Sequence, residues 1–193
     1  MEIVVFKIVG LSPLLQHNPR TMGSAGKRES LGTKVIPTPE EEAEAGTYRL
    51  PDGQLYVRSD AFRGSIIGRG GAASGRRIGK ATANSRVAAG LFMPEPECPL
   101  HHPKTGKPIH DYEIDTRRAL VQGNGVLRSR PMIRDWACDL VCEIDELFIT
   151  IDQVLELLNI AGKVAGVGDF RPQCKGVFGR YAATLKDGKG GKK

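Results

Sequence analysis

Aromatic side chains are scarce: six Phe, four Tyr and one Trp in 193 residues. Stacking platforms for bases are therefore few. Four cysteines stand at 98, 138, 142 and 174, with spacings that suit no disulfide framework, which points to a reducing compartment. No charged-then-apolar leader opens the sequence, and no apolar run nears the roughly 20 residues that cross a bilayer. A soluble, cytoplasmic protein without a membrane partner is expected. Internal repeats, a Ser-His-Asp or Cys-His grouping, and carboxylates paired at a telling spacing are all missing. One further gap is local: residues 61–94 contain no Asp or Glu at all.

That gap is filled with positive charge. Arg63, Arg69, Arg76, Arg77, Lys80 and Arg86 fall inside it, and six glycines lie between Gly64 and Gly79. Overall Lys and Arg number 28 against 22 Asp and Glu, a net charge of +6. Such a balance favours an anionic partner. Arginine forms paired hydrogen bonds with phosphate, and a glycine-rich segment can mould to a strand. An acid-free basic stretch is the footprint of a binder of nucleic-acid backbone. The bland reading is a solvated loop.

A second glycine cluster spans residues 166–181, GVGDFRPQCKGVFGRY. Gly166, Gly168, Gly176 and Gly179 sit there with Arg171, Lys175 and Arg180. It lacks the Gly-Lys-Ser/Thr of a Walker loop. It follows a helix pattern and precedes a strand pattern, the reverse of a dinucleotide fingerprint. The glycines suit close approach of a sugar-phosphate chain, with Arg171 and Lys175 reaching phosphates; Asp169 would orient Arg171.

Periodicity supplies the frame. Residues 2–9 read as a buried strand, and Pro13 ends it. Residues 18–38 look mobile. Residues 39–45 suit a short helix, with proline and glutamates at its start and Gly46 at its stop. Residues 48–57 form a hairpin about Asp52-Gly53. Ser59 caps a helix whose apolar face is Phe62, Ile66 and Ile67. Residues 64–79 follow as a flexible basic loop, 84–93 as weakly ordered chain, and 94–110 as a proline-rich loop. Asn124-Gly125 turns a second hairpin, from 117–122 to 126–128. Residues 132–144 alternate as one long strand, with Trp136 in the core. A helix over 151–163 is capped by Thr150 or Asp152, and 177–185 is the last strand. Without its insertions the order is βαββαβ, an α+β chain of ferredoxin-like, RNA-recognition-motif-like type. One domain over 1–185 is expected, with insertions near 18–58 and 80–118 and a disordered basic tail over 186–193.

Three further groups stand out. Arg128, Arg130 and Arg134 precede or enter the long strand, either as phosphate contacts or as ion-pair partners of Asp135 and Asp139. Cys98, His101, His102 and His110 lie close together, but their spacing fits no zinc finger and adjacent histidines suit one tetrahedral ion poorly. His17 is a possible acid or base for RNA cleavage with no visible second partner.

Three segments, in order, resemble the RAMP superfamily of CRISPR-associated proteins. The first strand leading into GLSPLL resembles the opening strand and turn of the backbone subunits. LYVRSDAFRGSIIGR resembles their strand-to-helix junction, and GVGDFRPQCKGVFGRY resembles the C-terminal glycine-rich loop. The resemblance implies a fold that grips guide RNA along its backbone, subunits stacked head to tail, and a thumb-like insertion, here residues 94–110. It assigns the junction's contacts to Arg63, Arg69, Arg76 and Arg77, and the loop's to Gly166, Gly168, Arg171, Lys175, Gly176 and Gly179. Arg171-Pro172 departs from the pattern, and the chain is compact for a backbone subunit, which fits a stand-alone or virus-encoded relative. His17 stands near the catalytic histidine of the guide-processing nucleases without matching their site. Asp111 and Asp115 stand where some thumbs carry a cutting aspartate.

The expected function is non-enzymatic, largely sequence-independent binding of single-stranded RNA or DNA, RNA favoured, by a homo-oligomer or a ribonucleoprotein subunit. The expected contacts are Arg63, Arg69, Arg76, Arg77, Lys80, Arg130, Arg134 and the glycine-loop residues, with no cofactor and no metal. An endoribonuclease of the same fold, or a protein-binding module, are the alternatives.

Overall fold

Alternation along two strands builds the centre of the molecule. In a computed structural model, which describes residues 1–19, 37–121 and 124–186, β1 (Glu2–Gly10) pairs antiparallel with β10 (Ala137–Ile144). Phe6 lies opposite Leu140 and Ile8 opposite Cys138, so their side chains share one face and are fully buried. β11 (Tyr181–Leu185) pairs with the other edge of β1, and β6 (Leu91–Phe92) with β10. The sheet order is β11–β1–β10–β6, antiparallel throughout.

Two helices cover the buried face. α2 (Ser59–Ile67) contributes Phe62 and Ile66. α4 (Ile151–Val164) contributes Val154, Leu157, Leu158 and Ala161. Thr150 caps α4 in a capping box with Gln153, and Lys163 sits in the last turn, so both ends are satisfied. Tyr181 ties the layers together: its hydroxyl lies 2.8 Å from Ser65 Oγ, and its ring meets Phe62 edge-on at 5.3 Å. Burial pushes the Tyr181 phenol well above its ordinary pKa, so it stays neutral.

A long ribbon, β8 (Glu113–Val121) with β9 (Asn124–Ile133), forms a second sheet with β2 (Leu14–Leu15). α1 (Pro39–Ala45) packs on it, with the proline and glutamates at its start and Gly46 at its end as expected, and is capped by a box of Thr38 and Glu41. The expected single strand over 132–144 is thus two. β9 ends at Ile133, and the chain crosses from ribbon to central sheet before Ala137. Trp136 fills that crossing, fully buried, with Nε1 donating to the Ser12 carbonyl at 2.9 Å.

Three other expectations change. The hairpin over 48–57 forms about Asp52-Gly53, with Arg49 bridged to Leu55, but it is short: β3 (Tyr56–Arg58) goes on to pair with β7 (Glu97–Pro99) inside the expected proline-rich loop. Residues 83–90 form a helix, α3 (Ala83–Gly90), with Thr82 as its cap. The glycine-rich basic stretch is shaped into turns and a small hairpin of β4 (Arg77–Ile78) and β5 (Ala81–Thr82), with Ala72 and Ala73 buried. The expected tail beyond Lys186 and most of the expected mobile segment lie outside the described residues. Among the described residues no helix is long and apolar enough to cross a membrane.

Candidate nucleic-acid interface

The glycine loop folds back against the chain that follows β1. Asp169 N–H donates to the Leu15 carbonyl at 2.9 Å, and Gly179 N–H to the Pro13 carbonyl at 2.8 Å. Gly168 has φ +76°, and a Cβ there would overlap the Leu15 carbonyl oxygen. At Gly166, Gly176 and Gly179 the space is likewise taken by the loop itself. Their glycine identity is therefore explained by the fold, not by room left for a ligand. Phe170 is bulky yet has φ +46°, a conformation that must be held in place by its surroundings.

Arginines from the ribbon hold it. Arg117 Cζ lies 5.2 Å from the Phe170 ring centre and 4.6 Å from that of Phe178, and Arg130 Cζ lies 5.0 Å from Phe170. Arg130, only 9 % exposed, forms an ion pair with Asp169. The pair meets at contact distance without hydrogen-bond alignment: Arg130 Nε and Nη1 and Asp169 Oδ2 have no hydrogen-bond partner among the described residues. Its attraction is therefore chiefly coulombic. His17 Nδ1 approaches the same carboxylate at 3.4 Å, and Phe170 N–H donates to Oδ1 at 2.8 Å. Burial pulls the Asp169 pKa up. The His17 imidazole, the Arg130 charge and the Phe170 N–H outweigh it and bring the pKa down to about 2.

Asp169 does not orient Arg171, as the sequence suggested. Arg171 is set by the Gly168 carbonyl, 2.9 Å from Nη1, and by Gln173 Oε1, 3.0 Å from Nε. Gln173 Nε2 in turn donates to the Arg69 carbonyl and so joins the two glycine-rich regions. No sequence pattern marked Gln173 for this role.

Between these parts lies a cleft of about 890 Å³, walled by residues after β1, by the junction of β3 and α2, and by the glycine loop. Of the expected contacts, Arg69, Gly166, Gly168 and Arg171 line it. Lys175, Gly176 and Gly179 belong to the same loop but do not line it. Arg63 is half-buried on α2; Arg76, Arg77 and Lys80 are exposed around the small hairpin. Arg130 is withdrawn from solvent by Asp169 and Phe170. Arg134 is exposed but held bidentately by Glu113, at 2.6 and 2.7 Å. Neither arginine uses Asp135 or Asp139 as partner.

The cations thus divide. Arg49, Arg58, Arg117, Arg128, Arg130, Arg134 and Lys186 each pair with a carboxylate. None of the ion pairs among the described residues involves Arg63, Arg69, Arg76, Arg77, Lys80 or Arg86. Arg77 reaches only the Lys80 carbonyl, at 2.6 Å, and Arg86 only that of Leu147, at 3.4 Å.

The Cys98 and histidine group does not converge. Cys98 is buried against Cys138, whose thiol is pushed up by its hydrogen bond with Cys98 and by burial, and so stays protonated. Among the described residues no three His, Cys, Asp or Glu side chains are grouped to hold a metal ion. Compared with known proteins, the chain matches no family model and no curated protein.

Proposed function

We propose that this chain binds single-stranded nucleic acid, RNA in preference, along its sugar-phosphate backbone and with little base specificity. The observation that carries the reading is the set of six cations between Arg63 and Arg86 that no carboxylate neutralises among the described residues. A cluster of cations with no acid in its own stretch is the electrostatic footprint that an outside anion meets. Arg69 and Arg171 place part of that charge at a cleft. The order β11–β1–β10–β6 with α2 and α4 on one face supports a ferredoxin-like βαββαβ unit, in which the ribbon, α1, residues 77–90 and β7 are elaborations. That arrangement, with the glycine loop between the last helix and last strand, supports a RAMP-like, RNA-gripping subunit that assembles with copies of itself.

The test is the affinity for a labelled single strand as salt is raised. Each phosphate neutralised contributes about −0.7 to the slope of log affinity against log salt, so three contacts give about −2. A flat response sinks the reading. Particle mass with and without the strand reports assembly.

A second reading is favoured by one contact. His17 and Asp169 pair at 3.4 Å beside the cleft, the geometry of an acid or base with its orienting carboxylate. Labelled RNA incubated with the native protein and with His17→Ala decides it. Absence of cleavage by the native protein under any condition ends that reading.

A further inference from the structure

Glycine is the poorest helix former after proline, yet Gly64 stands in the middle of α2. Nothing inside the protein accounts for it. Its backbone is ordinary helix, and a Cβ built there meets nothing within 4 Å. Every other described glycine either has a positive φ or would set a Cβ within 3.1 Å of a neighbouring atom. Gly64 is the one described helical glycine that the fold does not require; outside the helices, Gly125 meets only the movable end of the Arg118 side chain.

Its backbone faces the cleft. Leu14, Val57 and Ala61 line the same cavity, and so do Arg69 and Arg171. A bare stretch of helix beside apolar side chains is a surface on which a planar ring can lie flat. The two carboxylates of the lining, Asp60 and Asp169, are paired with Arg58 and Arg130, which leaves Arg69 and Arg171 to meet negative charge. A nucleotide carries both a ring and a phosphate, and the volume of about 890 Å³ lies in the range of pockets that enclose a small ligand. Glycine is the residue used where backbone must come close to a bound molecule.

We propose that the cleft is a base-accepting subsite: one base of the bound strand leaves the stack and lies against the Gly64 backbone, with its flanking phosphates at Arg69 and Arg171. The subsite rests on the reading of this chain as a single-strand binder. It anchors the strand at one nucleotide per protein, by shape and without hydrogen-bonded base readout.

The probe is a short single-stranded RNA with one fluorescent base analogue, titrated into the native protein, Gly64→Ala and Gly64→Leu. Neither variant alters charge, and both side chains form helix better than glycine, so thermal melting should be no lower than native. Gly64→Leu should bind at least tenfold more weakly, lose the fluorescence change on binding, and keep the native salt slope. Gly64→Ala should fall between. Native-like affinity and fluorescence in Gly64→Leu overturn the subsite and leave backbone binding standing. If the native protein binds no single strand at all, the parent reading falls and the subsite falls with it.

Discussion

Two regions of the molecule are rich in arginine and use it in opposite ways. In the ribbon and the crossing that follows it, acidic residues are close at hand, and Arg117, Arg128, Arg130 and Arg134 are paired, with only the exposed Arg118 outside the ion pairs of the described residues. Two of them also pack on the rings of the glycine loop. These guanidiniums are parts of the scaffold. In residues 61–94 no acid is available in sequence, and none is brought in from elsewhere by the described fold. The same side chain there is left with its charge unspent. Arginine content alone does not mark a binding surface; the local supply of carboxylates separates the two uses.

The sharpest way to break this contrast is to remove a ribbon partner. Asp169→Ala leaves Arg130 charged and buried, which should cost about 3 kcal/mol of stability. Thermal or denaturant unfolding checks it, and an unchanged midpoint would mean that the ribbon arginines are not structural. Acid should reproduce most of that loss. The Asp169 carboxylate has a folded pKa of about 2 against an ordinary 3.8, so the unfolded chain binds the proton first. Its contribution, about 2.5 kcal/mol, is complete above the ordinary value and disappears as pH falls toward 2. Stability measured between pH 5 and 2 should lose this component in Asp169→Ala.

The basic stretch should respond the other way. Reversing Arg69, Arg76 and Arg77 together to Glu should weaken single-strand binding at least tenfold for all sequences alike and flatten the salt slope, while stability moves by only about 0.5 kcal/mol. Unchanged affinity would leave the six free cations without a role. The smallest effect is expected at Arg134. Arg134→Ala loses only its exposed partner Glu113. Neither melting temperature nor affinity should change measurably, and a marked loss of binding would place that arginine on the ligand after all.

The central frame was legible in the sequence where one rule dominated. β-Branched content marked β1, alternation marked β10, Thr150 or Asp152 marked the start of α4, and the proline and glutamates after Thr38 marked α1. What failed involved partners far along the chain. Alternation holds only from Trp136 onward; Met132 and Ile133 are both apolar and Arg134 and Asp135 both charged, and that local break is where residues 132–144 change sheets. The β3–β7 pairing joins Val57 to Cys98 across the basic stretch. Within the site, composition pointed to Arg69 and Arg171, which the fold brings to one cleft. It could not show that Arg130 is consumed by Asp169, because charge pairing across a fold leaves no local pattern. Nor could it separate glycines that the backbone needs from Gly64, which it does not need.

The place of β1 between β10 and β11 has a consequence for how the protein is made. β1 is synthesised well before both of its neighbours, which begin at Ala137 and Tyr181. At about 5–20 residues per second, a ribosome needs on the order of ten seconds or more to reach Tyr181 after completing β1. Until Ala137–Ile144 is made, Val4, Phe6 and Ile8 have no strand to lie beside, and until Tyr181–Leu185 follows, the second edge of β1 stays open.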